Sequence, residues 1–203
     1  MAENETDKIR PFDSQDEKGF NYERVRHLIG KASEWHEGHD EVSASDIRHW
    51  CEVMQDANPL YTDEEYAKSS KYGGVIAPPT MVQTWSLDPM KEALDRFVRM
   101  DPPFKEDPHN QLFGIIDDEG YDGVVATSQT QEYLLPVRPG DMISCQIAVG
   151  PVSEYDHYTR MGVGRYALMI YTFKNQRDEV VCRATFKVLK YRAPISTRRL
   201  YQG

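Results

Sequence analysis

The sequence predicts an α+β fold, and three observations carry it. Helical spacing of apolar residues fills the first half of the chain. β-branched alternation fills the last third. The turns between those late segments are short. Helices first, then three or four strands joined by tight turns, describe one antiparallel sheet with helices packed on it. At 203 residues the chain is long enough to bury one substantial core.

Residues 1–20, MAENETDKIRPFDSQDEKGF, are charged and aperiodic, which predicts an arm that is flexible or wraps an edge. The main domain is expected over 21–192, with a tail at 193–203. NYERVRHLIGKASEW predicts a short helix with Val25, Leu28 and Ile29 inward and Gly30 as its stop. EVSASDIRHWCEVMQDANP predicts a longer one. Ser43 and Asp46 have capping-box spacing, and Ile47, Trp50, Cys51 and Met54 form one buried stripe. Asn58 and Pro59 end it, because the residue before a proline is pushed out of the α region. TDEEYAKSS predicts a short helix capped by Thr62.

YGGVIAPPTMVQTW then changes character, with Gly73 and Gly74 allowing close backbone approach and Pro78–Pro79 opening a helix. Met81, Val82, Trp85, Leu87 and Met90 predict that this helix is buried, and DPMKEALDRFVRM continues it past a kink at Pro89. The segment 100–123 is rich in Pro, Asp and Gly and reads as a long insertion. VVATSQTQEYLL, VRPGDMISCQIAVGPV, RYALMIYTFKN and DEVVCRATFKVLKYR follow as strands.

Composition excludes several functions. Lys and Arg total 24 against 33 Asp and Glu, a net charge of −9, which argues against a nucleic-acid partner. No stretch reaches the ~18 apolar residues of a membrane span, and the amino terminus lacks a signal-peptide core. Cys51, Cys145 and Cys182 are odd in number and lie in apolar runs, so they read as reduced and buried rather than bridged or zinc-bound. A cytoplasmic location is expected. In WHEGHD, strand-like spacing would point His36 and His39 to opposite faces, so no metal site is expected there.

The stretch DIRHWCEVMQDANPLYTDEEYAKSSKYGGVIAPPTMVQTW resembles the MaoC-like hydratase/dehydratase family, and within it the FAS1-like amino-terminal half. Asp-x-Asn-Pro-Leu-Tyr and Gly-Gly-Val-Ile-Ala-Pro-Pro carry the likeness, and YLLPVRPGDMI and NQRDEVVCRATFKVLKYR extend it over roughly residues 20–192. The resemblance implies a hot-dog fold: a long central helix wrapped by a curved antiparallel sheet, paired with a second hot-dog into one continuous sheet. It also implies hydration of a trans-2-enoyl-CoA to the (R)-3-hydroxyacyl-CoA. The family's working loop reads Asp-x-Asn-Pro-Leu-His. Asp56, Asn58 and Pro59 match it, and Tyr61 stands where the histidine belongs.

That substitution decides the expected function. Hydration needs one group to take a proton from water while carbon 2 gains one, which a His–Asp pair does near neutral pH. A phenol with a pKa of about 10 is a poor base there. The chain is therefore expected to be the structural or substrate-binding subunit of a heteromeric enoyl-CoA hydratase. The Asp/His dyad would sit on a second hot-dog chain, and the acyl group would be bulky, of the steroid side-chain kind. Two alternatives stay open: a scaffold subunit of a fatty-acid-synthase-type 3-hydroxyacyl-carrier-protein dehydratase, and a self-sufficient homodimer using Asp56 with His109 or His157. No cofactor is expected beyond the coenzyme A of the substrate. Degenerate subunits of this kind often carry a further carboxy-terminal acyl-CoA-binding domain with a zinc ribbon, which is expected to be absent or truncated here.

Candidate residues follow. Asp56 is either a water-activating carboxylate or a turn-holding one. Asn58 pins the loop, and Tyr61 lines the acyl channel or packs at the interface. Backbone N–H groups around Gly73, Gly74, Val75 and Pro78 either polarise the thioester carbonyl or pack loop on helix. Trp85, with Leu87, Met90, Leu94 and Phe97, is either acyl pocket or core. Arg138, Arg160, Arg165 and the terminal STRRLYQG are candidates for the coenzyme A phosphates, or ordinary surface charges.

Overall fold

The computed structural model describes residues 20–99 and 106–192, and of 95–99 the backbone alone. The expected arm (apart from Phe20), the expected tail with STRRLYQG, and the Phe97 side chain lie outside the described part.

Four long strands form the sheet: β2 (Gly123–Tyr133), β3 (Ser144–Val152), β5 (Gly162–Lys174) and β6 (Val180–Tyr191). Two short ones, β1 (His36–Glu37) and β4 (His157–Thr159), complete it. The order is β1-β3-β5-β6-β2, with β4 paired to β5, and every pairing is antiparallel. Register shifts in β2 between Ala126 and Ser128 and in β3 between Val149 and Val152 bend the sheet, as bulges do.

One face of the sheet is apolar. Ala167, Met169, Tyr171 and Phe173 of β5 point to it, as do Cys182, Ala184, Phe186 and Val188 of β6, each set at the period of two that the sequence shows. Helical segments cover that face from end to end. At one end lie α2 (Ala44–Met54) and the chain around Met81, Val82 and Trp85. At the other lie α1 (Glu23–Arg26) and α6 (Pro108–Asp118), whose Leu112 and Ile116 are fully buried with Val25 and Leu28. Ile147 and Tyr171 pack against both clusters and join them. A curved antiparallel sheet wrapped around helical segments is the expected α+β hot-dog.

The helix inside the wrap differs from expectation. Where one long helix was predicted from Pro79, the chain makes two single 3-10 turns, Pro79–Met81 and Thr84–Ser86, and only then α5 (Met90–Arg99). Pro89 explains the break. It has no N–H to give the Trp85 carbonyl four residues back, and its ring would collide with that carbonyl. Leu87 is accordingly extended (φ −83°, ψ 142°). The released Trp85 carbonyl presses on Gly38, where a Cβ would lie 1.8 Å from it.

Three smaller expectations also shift. The segment read as a loop from 100 to 123 contains α6, opened by Pro108 in the first turn and closed at Gly120 (φ +88°). Its Leu112–Ile116 pair, four apart, was masked by the Pro, Asp and Gly around it. The cap of α4 (Glu64–Ser69) is Asp63, whose Oδ1 accepts from Tyr66 N at 3.0 Å, rather than Thr62, which closes the helix before it. Finally, the stripe on α2 stops short, and Met54 is 59% exposed in the last turn.

Candidate functional site

The site is built where α2 ends. Ser43 caps the helix by accepting from Asp46 N at 3.1 Å. Ile47 and Cys51 anchor it in the core. Gln55 then turns left-handed (φ 55°) and stops it, three residues before Asn58 rather than at Asn58. The Asp56 carboxylate accepts from Asn58 N at 3.1 Å, and the Asn58 side chain accepts from Leu60 N at 3.1 Å. These two consecutive Asx turns, with Pro59 opening the one-turn helix α3 (Pro59–Thr62), fix the direction of Tyr61. Asp56 thus serves the turn.

Tyr61 is half-buried and packs against the core cluster of α2. Burial pushes its phenol above the ordinary value, against a hydrogen bond with Asn58 that pulls the other way, and Asp56 adds to the rise. A group already too weak as a base at pH 7 is made weaker still.

The Gly-Gly segment lies beside this loop. Ile76 N donates to Leu60 O at 3.2 Å and Ala77 N donates to Val137 O at 2.8 Å, so these amides hold the segment between the loop and the strand exit. Gly73 N donates to Ser70 O with φ at +65°. Pro78 is buried, a 3-10 turn follows instead of a long helix, and the Gly73, Ile76 and Ala77 amides bind protein carbonyls. Trp85 is 5% exposed within the core and lines neither of the two clefts described below. Its expected companions Leu87, Met90 and Leu94 are instead exposed.

Tyr61, Gly74 and Val75 share one wall of a cleft of about 720 Å³. Arg48 of α2, Lys68 of α4 and Arg138 of the loop after β2 line it too. The Arg138 guanidinium donates to Tyr72 O and lies 3.4 Å from where a Cβ on Gly74 would be. Its backbone N–H donates to Asp141 at 2.8 Å, and Asp141, 3% exposed, also pairs with Arg177 at 3.1 Å. Arg138 was legible in the sequence. Arg48 and Lys68 were not, because each sits four residues from a glutamate on a helix, the ordinary pattern of a solvated face. A narrower cleft of about 300 Å³ opens between Ile76–Val82 and Tyr133–Val137, with Cys182 in its lining and Lys71 and Tyr72 also bordering it.

Other candidates fall elsewhere. Arg165 is 3% exposed and bonded to buried Asp156 at 2.7 Å, so it cannot reach a phosphate. Arg160 is exposed beside β4. His109 lies on α6 and His157 on β4 against the Tyr166 ring, and neither lines the cleft at Tyr61. His36 and His39 do not point apart. Both reach Asp88 Oδ1, at 3.0 and 3.5 Å, and His39 also reaches Glu92 at 3.4 Å. β1 is only two residues long, and the bend after Gly38 brings His39 back to the same side. Among the described residues no group of three or more side chains is arranged to hold a metal ion, and no helix is long and apolar enough to cross a membrane.

Comparison with known proteins identifies the chain's relatives. The probable enoyl-CoA hydratase alpha subunit of Thermomonospora curvata is 33% identical over 176 residues, 86% of this chain and 53% of that protein. The 3-oxo-4,17-pregnadiene-20-carboxyl-CoA hydratase alpha subunit of Mycobacterium tuberculosis is 30% identical over 159 residues, 75% of this chain and 46% of that protein. The chain thus spans about half the length of these curated relatives. The crystal structure of the ChsH1–ChsH2 complex from Mycobacterium tuberculosis matches with a TM-score of 0.73 at 28% identity, over 85% of this chain and 91% of that one. The profile of the FAS1-like dehydratase domain region matches residues 27–184, and the chain belongs to that family.

Proposed function

We propose that this chain is the substrate-binding, non-catalytic hot-dog subunit of a two-chain enoyl-CoA hydratase whose Asp/His dyad sits on the partner chain. The observation that carries the proposal is the loop at Tyr61. Its sequence resembles the family's working loop, yet one Asp56 oxygen accepts within the turn and the base position holds a phenol with a raised pKa. Two further features support it. β2 is the outermost strand of the sheet, eleven residues long, and Tyr133, Leu134 and Leu135 at its end are 39–44% exposed. A second hot-dog would pair along that edge and cover those side chains. The broken helix leaves Leu87, Met90 and Leu94 exposed, apolar surface that a partner chain or a bulky acyl group would cover. The names of the relatives, an enoyl-CoA hydratase and a steroid-CoA hydratase alpha subunit, point the same way. No cofactor enters this reading apart from the coenzyme A carried by the substrate.

The test is reconstitution. The chain is purified alone and with a hot-dog chain that carries the complete Asp–His loop, and each is assayed on crotonyl-CoA and on a bulky enoyl-CoA. The expected result is turnover only by the pair, greater on the bulky substrate, abolished when the partner's histidine is replaced and unchanged in Asp56→Asn. Turnover by the isolated chain at a comparable rate overturns the proposal. A strong preference for carrier-protein thioesters assigns the chain to a dehydratase instead.

A further inference from the structure

The cleft at Tyr61 combines features that the proposed role does not use. In the two-chain reading the reaction takes place at the partner's loop, so this chain's own loop borders a second cleft with no chemistry to perform. That cleft has not closed. It holds about 720 Å³, within the range of small-molecule sites. Its charge also runs against that of the whole chain. Arg48, Lys68 and Arg138 line it against the single carboxylate of Glu64, in a protein whose net charge is −9. A pocket of opposite sign concentrates anions locally whatever the overall charge.

The three cations come from three separate elements, and they differ in how they are held. Arg138 is fixed. Its guanidinium is bound to Tyr72 O and lies on Gly74, and its backbone is anchored on buried Asp141. A guanidinium held in place loses little freedom on meeting a phosphate. Arg48 and Lys68 are held only by exposed pairs with Glu52 at 2.8 Å and Glu64 at 2.7 Å. Exposed pairs of that kind contribute little, so exchanging them for a phosphate costs little. Tyr61 and Val75 add apolar surface to the same cleft, which a base could pack against.

We propose that this cleft is a second, non-catalytic site for a phosphorylated adenine nucleotide, the 3′,5′-bisphosphate end of coenzyme A. The identity of the nucleotide rests on the proposed function, whereas the existence of an anion site rests on the cleft alone. A site of this kind reports the level of coenzyme A to the assembly, since it binds the carrier without hydrating what it carries.

The probe is adenosine 3′,5′-bisphosphate, titrated by calorimetry into the chain and into the two-chain complex. One equivalent is expected per copy of this chain beyond those bound at the partner's loop. Removing one cation should weaken it about tenfold or more, as charge-assisted hydrogen bonds do. Arg48→Glu with Lys68→Glu touches only exposed side chains and should abolish the extra equivalent. Arg138→Ala should do the same where it folds. Affinity should fall as salt rises. No extra equivalent, or one indifferent to Arg48→Glu with Lys68→Glu, overturns the site. Equal competition by inorganic phosphate overturns the nucleotide assignment. Because the readout is binding, a complex without hydratase activity that still loses this equivalent in the variants refutes the proposed function and leaves the site standing.

Discussion

In the proposed reading, Tyr61 is a single side chain that changes a function without disturbing a fold. The Asx turns of Asp56 and Asn58 would position a histidine equally well, so the backbone carries no mark of the exchange. The buried ion pair of Asp156 and Arg165 has the opposite character, because the fold depends on it. Asp156 also accepts from Tyr121 OH at 2.8 Å, and Arg165 lies over the Phe20 ring. Asp156→Ala should cost about 3–5 kcal/mol in urea unfolding, because it leaves a guanidinium buried without its counter-charge. Burial, then the bond to Asp156, pushes the Tyr121 phenol up to about 12 from 10. The unfolded chain therefore releases this proton first, and the stability it supports is complete below pH 10 and lost between pH 10 and 12. Tyr121→Phe should be less stable than the parent at pH 8, with the gap closing toward pH 12. The cysteines make a simpler case. Burial raises the Cys51 thiol and carries Cys145 to about 12 and Cys182 to about 11. A native sample at pH 8 should take up no iodoacetamide by mass spectrometry, and a denatured one should take up three equivalents.

At the level of elements, the strands were legible and the interrupted helix was not. Alternation runs through the middle of β5 and β6, so side and register follow from it there, while Val181 and Leu189 are buried out of step with it. Pro89 was visible as a kink, but its consequence depended on Gly38, fifty residues earlier, accepting the Trp85 carbonyl. No local pattern joins those two positions. The same holds for His36 and His39, whose convergence on Asp88 depends on where that break puts the start of α5. Gly38→Ala should therefore act as a tertiary substitution, not a loop one. It should lower stability by about 2 kcal/mol or more, seen as a fall in Tm, because the Cβ meets backbone that cannot swing aside. The cleft at Tyr61 was half legible: its loop and Arg138 stood out, while Arg48 and Lys68 looked like any helix surface.

At the level of the whole molecule, among the described residues, one side of the sheet is closed by helices and one edge is left open. β1 at one end is two residues long, which limits pairing there, whereas β2 at the other runs for eleven. Leu134→Glu with Leu135→Glu should leave the isolated chain folded by circular dichroism and abolish its co-purification with the partner hot-dog chain. These two residues are exposed and their backbone amides bond to Val181 O, so the change falls on the surface and not on the sheet.

That open edge also bears on how the protein is made. A long edge strand with β-branched and amide side chains can accept a further strand on its outer side, including one from another copy of itself. A copy synthesised without a strand to cover that edge is more prone to self-association, and overexpression of this chain alone should give a lower soluble yield than co-expression with the proposed partner. In the proposed two-chain reading, balanced production of both chains becomes a condition for solubility, imposed by the backbone of one eleven-residue strand.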